Sequence, residues 1–134
     1  MKQRHSINSL IILTILILSL QSCSSPVTYK VVNNDVADIK LTLNPDKTLT
    51  FYFKSFDEPD SSGNAQETIF ENTGTWQKVG GDMEVKFSPS KENFNYKVVF
   101  ENERNTSVTV NDRTFRFDLK RDTIVLWGIE ATKN

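Results

Sequence analysis

Apolar and polar residues alternate with a period of two along most of the chain beyond residue 37. Ile39, Leu41 and Leu43 are separated by Lys40 and Thr42. Asn44-Pro45-Asp46-Lys47 interrupts the pattern as a turn, and Leu49, Phe51 and Phe53 resume it between Thr48, Thr50, Tyr52 and Lys54. Such alternation, in β-branched and aromatic residues bounded by turn formers, marks half-buried strands. The polar stretch 57–66, with Pro59 and Gly63, reads as a loop. A third strand is predicted over 67–79, carrying Ile69, Phe70 and Trp76, and its Gly74 points to a bulge or a close backbone approach. Gly80-Gly81 then predicts a tight hairpin into Met83, Val85 and Phe87. Phe94, Tyr96, Val98 and Phe100 alternate and predict another strand. Val108 and Val110 lead to a turn at Asn111-Asp112, and Phe115, Phe117 and Leu119 follow. The last predicted strand, Ile124 to Ile129, is apolar on both sides. That pattern fits a strand covered on both faces, or an aromatic face at Trp127 that meets a partner.

The links between these strands are short, which pairs neighbours antiparallel, because parallel pairing needs a crossover of about a dozen residues or more. The predicted fold is all-β: a single antiparallel meander of about eight strands, rolled into a small barrel or a strongly curved sheet so that each strand buries its apolar side. This domain is expected over residues 38–134, after a tether over 23–37.

The N-terminus follows another rule. Leu10 to Leu20 is apolar except for Thr14 and Ser19, and Lys2 and Arg4 precede it. As a helix this run rises about 16 Å, against about 30 Å for a hydrocarbon core. It has the length and flanks of a signal-peptide helix, which assigns residues 1–22 to targeting. Leu20-Gln21-Ser22-Cys23 resembles the lipobox of bacterial lipoproteins, with Leu three positions before Cys and a small residue directly before it. The resemblance implies cleavage between Ser22 and Cys23, a diacylglycerol on the Cys23 sulfur, and a further acyl chain, such as palmitate, on the freed amine. Two or more chains hold a protein stably at a bilayer, at about 0.8 kcal/mol per buried CH₂. Ser24, in place of an Asp after the Cys, resembles outer-membrane sorting. The expected location is the cell envelope, at the outer membrane, with the membrane as first partner.

Composition narrows the chemistry. The 134 residues include 16 Lys+Arg, 17 Asp+Glu, one His and one Cys, a balance that gives no bulk attraction for nucleic acid. Removal of residues 1–22 takes away Lys2, Arg4 and His5, leaving 14 basic residues against 17 acidic and no His. The one Cys is then the lipid site. Ser-His-Asp and Cys-His nucleophilic catalysis and zinc sites of the usual ligands are thereby excluded. The loop 57–64 lacks the ligand spacing of an EF-hand. Glu67, Glu71, Asp82 and Glu84 fall at outward or turn positions rather than as the facing pair that glycoside hydrolysis requires. No enzyme, metal or cofactor is expected.

Gly74-Thr75-Trp76 resembles the Gly-x-Trp signature of lipocalins and related calycin barrels, in which the Trp packs across one end of the barrel. With Leu43 to Leu49 and Asp82 to Phe87, the span 38–130 is similar to small lipocalin-like bacterial lipoproteins. Three aromatic residues are candidates for ligand or partner contact: Trp76, Trp127 and Tyr52. Tyr52 falls on the Thr48, Thr50 and Lys54 side, opposite Phe51 and Phe53. The expected function is a lipid-anchored envelope protein with a non-catalytic binding role toward an envelope protein or glycan. The alternative is a lipocalin-like carrier of a small apolar ligand, which needs an interior pocket of roughly 300 Å³ or more, lined by Phe51 and Phe117.

Overall fold

The computed structural model describes residues 24–31, 34–56, 61–64, 66–102, 104, 108–118 and 120–134. Nine strands form one sheet: β1 (Val27–Val31), β2 (Ala37–Leu43), β3 (Thr48–Phe56), β4 (Glu67–Val79), β5 (Asp82–Phe87), β6 (Val108–Asn111), β7 (Thr114–Asp118), β8 (Thr123–Leu126) and β9 (Ile129–Lys133). One short helix, α1 (Tyr96–Phe100), lies between β5 and β6. The order across the sheet is β6-β7-β5-β4-β3-β2-β1-β9-β8, and every pair is antiparallel. The sheet curls into a half-barrel with its apolar face inward.

The period-two pattern explains the curl. In β2, Ala37, Ile39, Leu41 and Leu43 are buried while Asp38, Lys40 and Thr42 are not. In β3, Leu49, Phe51, Phe53 and Ser55 are buried and the residues between them are not. One apolar face must be covered, and rings fill the space. Phe70 stacks on Phe94 with centroids 4.0 Å apart, Phe87 stacks on Tyr96 at 4.4 Å, and Phe100 packs on Phe115 at 5.1 Å. Phe51 touches five of these rings and is 2% exposed.

Turn chemistry fixes the register. Asp46 accepts hydrogen bonds at Oδ1 from the Thr48 amide (3.0 Å) and hydroxyl (2.6 Å), and Lys47 takes a left-handed backbone conformation (φ 70°) that closes the β2–β3 turn. Gly74 is required by contact. A Cβ there would lie 2.1 Å from the Lys86 carbonyl oxygen of β5, so only glycine lets the two backbones approach.

Three elements differ from the sequence expectation. Residues 27–31, expected within a tether, form β1, which pairs with β2 on one side and β9 on the other. Residues 94–100, expected as a strand, contain α1 instead. Its buried residues, Tyr96, Val99 and Phe100, follow helical spacing, and Val98 is 57% exposed. The run 124–129 is two strands joined by a turn at Trp127-Gly128, both with positive φ (52° and 75°). The meander is also incomplete. It runs from β1 to β5, the β6–β7 hairpin then adds to β5 through β7, and the β8–β9 hairpin returns to β1.

The helix sits in the opening of the half-barrel. Phe100 reaches Phe87, Phe115 and Phe117 on the inner face. The Val99 carbonyl accepts the Trp127 amide at 2.8 Å, which ties α1 to the β8–β9 turn. Ile124, Val125 and Leu126 are all buried, so β8 is covered on both faces, as its sequence predicts.

Candidate binding surfaces

The three candidate aromatic residues fall at three separate places. Tyr52 lies on the outer face of the sheet, where cross-strand register builds two rows. Lys40, Tyr52 and Glu71 face each other across β2, β3 and β4, and Lys30 of β1 extends the row. The adjacent row is Thr28, Thr42, Thr50 and Thr73, with the Thr28 and Thr42 hydroxyls 3.2 Å apart. Lys40 Nζ lies 5.4 Å from the Tyr52 ring centroid. Lys40, Tyr52 and Glu71, with Thr42, Thr50 and Thr73, line a shallow depression of about 470 Å³. It presents a half-exposed phenol ring, one cation, one carboxylate and a line of hydroxyls.

Trp76 lies at the end of the half-barrel where β1 begins. Its indole Nε1 donates to the Asn44 carbonyl at 2.8 Å, its amide donates to the Lys47 carbonyl at 2.9 Å, and Lys47 Nζ sits 3.9 Å above its ring. The indole thus fastens the β2–β3 turn to β4. A groove of about 330 Å³ opens beside it, lined by Ser24, Ser25, Val27 and Tyr29, by Leu43 and Pro45, and by three lysines, Lys47, Lys78 and Lys133. The Tyr29 phenol is held above its ordinary pKa by burial first, and then by the charges of Asp122 and Asp118.

Trp127 occupies the opposite end. Its ring packs edge-on against Phe53 with centroids 5.4 Å apart, so it covers the core beside α1. Arg104 Nη2 donates to the Gly128 carbonyl at 3.1 Å and holds the same turn.

No family model, curated protein or solved structure matches the chain. Ser22 and Cys23, the expected cleavage and lipid sites, lie outside the described residues, as do residues 57–60 of the acidic loop.

Two of the four candidate carboxylates, Glu84 and Glu67, are engaged in separate ion pairs. Glu84 accepts from Arg116 Nε at 2.7 Å and from Gln77 Nε2 at 3.0 Å, which holds its carboxyl below the ordinary carboxylate range. Glu67 pairs with Lys54 at 3.1 Å. Among the described residues no three acidic, His or Cys side chains converge to hold a metal ion. Inside the half-barrel, the Tyr96 hydroxyl accepts from the Asn72 amide at 2.6 Å; burial raises its pKa and this bond opposes the rise.

Sequence reasoning found Tyr52 and Trp76 but missed their neighbours. The outward placement of Lys40, Thr42, Thr50 and Glu71 is legible from alternation. Their alignment into rows depends on strand register, which alternation within one strand does not encode. The lysines of the Trp76 groove come from the β2–β3 turn, β4 and β9, and no local motif links them.

Proposed function

We propose that the protein is a lipoprotein of the cell envelope, anchored at the outer membrane through Cys23, with a non-catalytic binding role toward an envelope glycan. The observation that carries the binding role is the outer-face depression around Tyr52. A row of hydroxyls beside an aromatic ring, with a cation and a carboxylate at hand, suits a polyhydroxylated partner: the ring takes a sugar face and the polar groups take its hydroxyls. The anchor is supported by the lipobox string Leu20-Gln-Ser-Cys23 after an apolar run too short to span. The non-catalytic reading is supported by the lack of His after residue 5 and by the engagement of Glu84 and Glu67 in ion pairs.

An interior carrier role has less support, since the space between Phe51 and Phe117 is taken up by Phe87, Phe100 and Phe115. A ligand there would have to part that stack.

Two experiments test the proposal. Cys23→Ser should move the protein out of the membrane fraction, and unchanged retention contradicts the anchor. Tyr52→Ala should reduce retention on isolated envelope glycan by about tenfold, the loss expected for one well-packed aromatic contact. Equal retention contradicts the glycan reading. If an envelope protein is instead released by the same substitution, the partner on this face is a protein.

A further inference from the structure

We propose that the groove at the Trp76 end docks onto the anionic phospholipid surface of the membrane that holds the protein's own lipid. The proposal rests on acylation of Cys23 and adds a second, protein-borne membrane contact to it. Chain length makes the first part of the argument. Ser24 and Ser25 line the groove, and β1 starts at Val27, paired with Leu43. Only residues 24–26 separate Cys23 from the sheet. Three residues reach at most about 10 Å when fully extended. The headgroup region on each side of a bilayer is about 5–8 Å deep. A glycerol-linked sulfur at the hydrocarbon boundary therefore keeps this end of the sheet within a few ångströms of the headgroups, even with the tether fully extended.

Chemistry makes the second part. Lys47, Lys78 and Lys133 line the groove, and among the described residues no acidic side chain does. Lys133 is shared with Asp122 at 3.4 Å, whereas neither Lys47 nor Lys78 has an ion-pair partner among the described residues. Asp46, in the same turn as Lys47, keeps its charge but is turned to the Thr48 amide and hydroxyl and lies outside the groove lining. Asp82 and Asp118 face each other at the same end, outside the groove lining. Lysines beside a half-buried indole match the phosphates and the interfacial layer together: the cations meet the headgroup charge, and Trp prefers the membrane–water boundary.

The two indoles supply the test, because Trp127 lies at the far end. The lipidated protein is purified from the membranes of cells producing the full-length chain. It is then reconstituted into phosphatidylcholine vesicles, with or without phosphatidylglycerol, containing brominated lipid as quencher. Trp127→Phe leaves Trp76 as the only indole, and Trp76→Phe leaves Trp127. Trp76 emission should shift to the blue and be quenched more strongly in the anionic vesicles, with Trp127 unchanged. Substituting Lys47, Lys78 and Lys133 together by Gln should return Trp76 to its level in neutral vesicles, with the circular dichroism spectrum retained.

Trp76 quenching that ignores both vesicle charge and the three lysines overturns docking. Trp76 shielded without vesicles, together with a sedimentation mass twice that of one chain, overturns it in favour of a second copy on the groove. Flotation separates the two layers of the argument. Protein that floats with both vesicle types but shows no charge-dependent quenching loses the docking proposal alone. Protein that floats with neither loses the acylation and the docking with it.

Discussion

At the Trp76 end of the sheet the indole sits within the regular strand β4, and its side chain does the fastening. The indole binds the Asn44 carbonyl and carries Lys47 above its ring, while Gly74 brings β4 and β5 close together. At the Trp127 end, about 16 Å further along β3 at the usual rise per residue, the roles are exchanged. There the Trp127 backbone is forced to a positive φ, uncommon for a bulky residue, and its amide holds α1 through the Val99 carbonyl. One end is built from hydrogen bonds to a turn, and the other from a helix inserted among rings and a strained turn that grips it. The difference shows that a curled sheet with open edges needs a separate closure at each end.

Substitutions can break that comparison, beginning with the largest effect. Phe100→Ala removes the fully buried ring by which α1 enters the core. It should lower stability by about 3–5 kcal/mol, read from urea unfolding, and loosen the Trp127 end first, so that hydrogen exchange rises in β8 and β9 before β4 and β5. A loss below about 1 kcal/mol would mean that α1 is not the closure. At the other end, Gly74→Ala sets a Cβ against the Lys86 carbonyl and should cost about 3 kcal/mol, with Trp76 emission moving to the red as the turn contact opens.

Gly128→Ala sharpens the contrast between the ends. No atom lies within 4 Å of the added carbon, so the cost comes from the positive φ alone and should be about 1 kcal/mol. A cost equal to that of Gly74→Ala would show that the Trp127 turn is held by contacts after all.

The smallest effect lies on β5, between the two ends. The Glu84 pKa is lowered by hydrogen bonds from Arg116 and then Gln77. A lowered carboxyl pKa contributes stability that is complete above the unfolded value of about 4.3 and is lost as pH falls through the folded value. Glu84→Gln should therefore cost about 0.5–1 kcal/mol at pH 7, since Arg116 is partly exposed. The gap from the parent protein should narrow between pH 5 and pH 3 in thermal unfolding, and a gap that widens on acidification contradicts the assigned bond.

The legible and illegible parts of the molecule divide along the same line. The span from β2 to β5 is readable residue by residue, because each strand has one buried face and each turn has its own chemistry. Gly74 and the Gly80-Gly81 hairpin are visible in the sequence as well. The closure of the Trp127 end is not. Tyr96 and Phe100 satisfy a period of two as well as a helix, and in a five-residue element only the exposure of Val98 and burial of Val99 separate the two. Trp127-Gly128 hides a hairpin inside an apolar run, since turns with positive φ at both positions usually carry Asn or Asp before Gly. Strand β1 was obscured by its length of five residues and by a second partner, β9, that lies far along the chain. For the candidate site, Tyr52 was visible as an aromatic residue out of phase with its neighbours, whereas the rows around it and the three lysines near Trp76 arise only from register.

The account depends most on the chemistry of one sulfur. If Cys23 carries the anchor, the sheet begins within three residues of the membrane and the Trp76 end faces it. Intact-mass and N-terminal peptide mass spectrometry of the protein extracted from its native cells measures this directly. The account predicts a chain that begins at Cys23, with residues 1–22 gone and the mass of a diacylglycerol and a further acyl chain on that residue. A chain that retains residues before Cys23, or one whose Cys23 carries a free thiol, contradicts it.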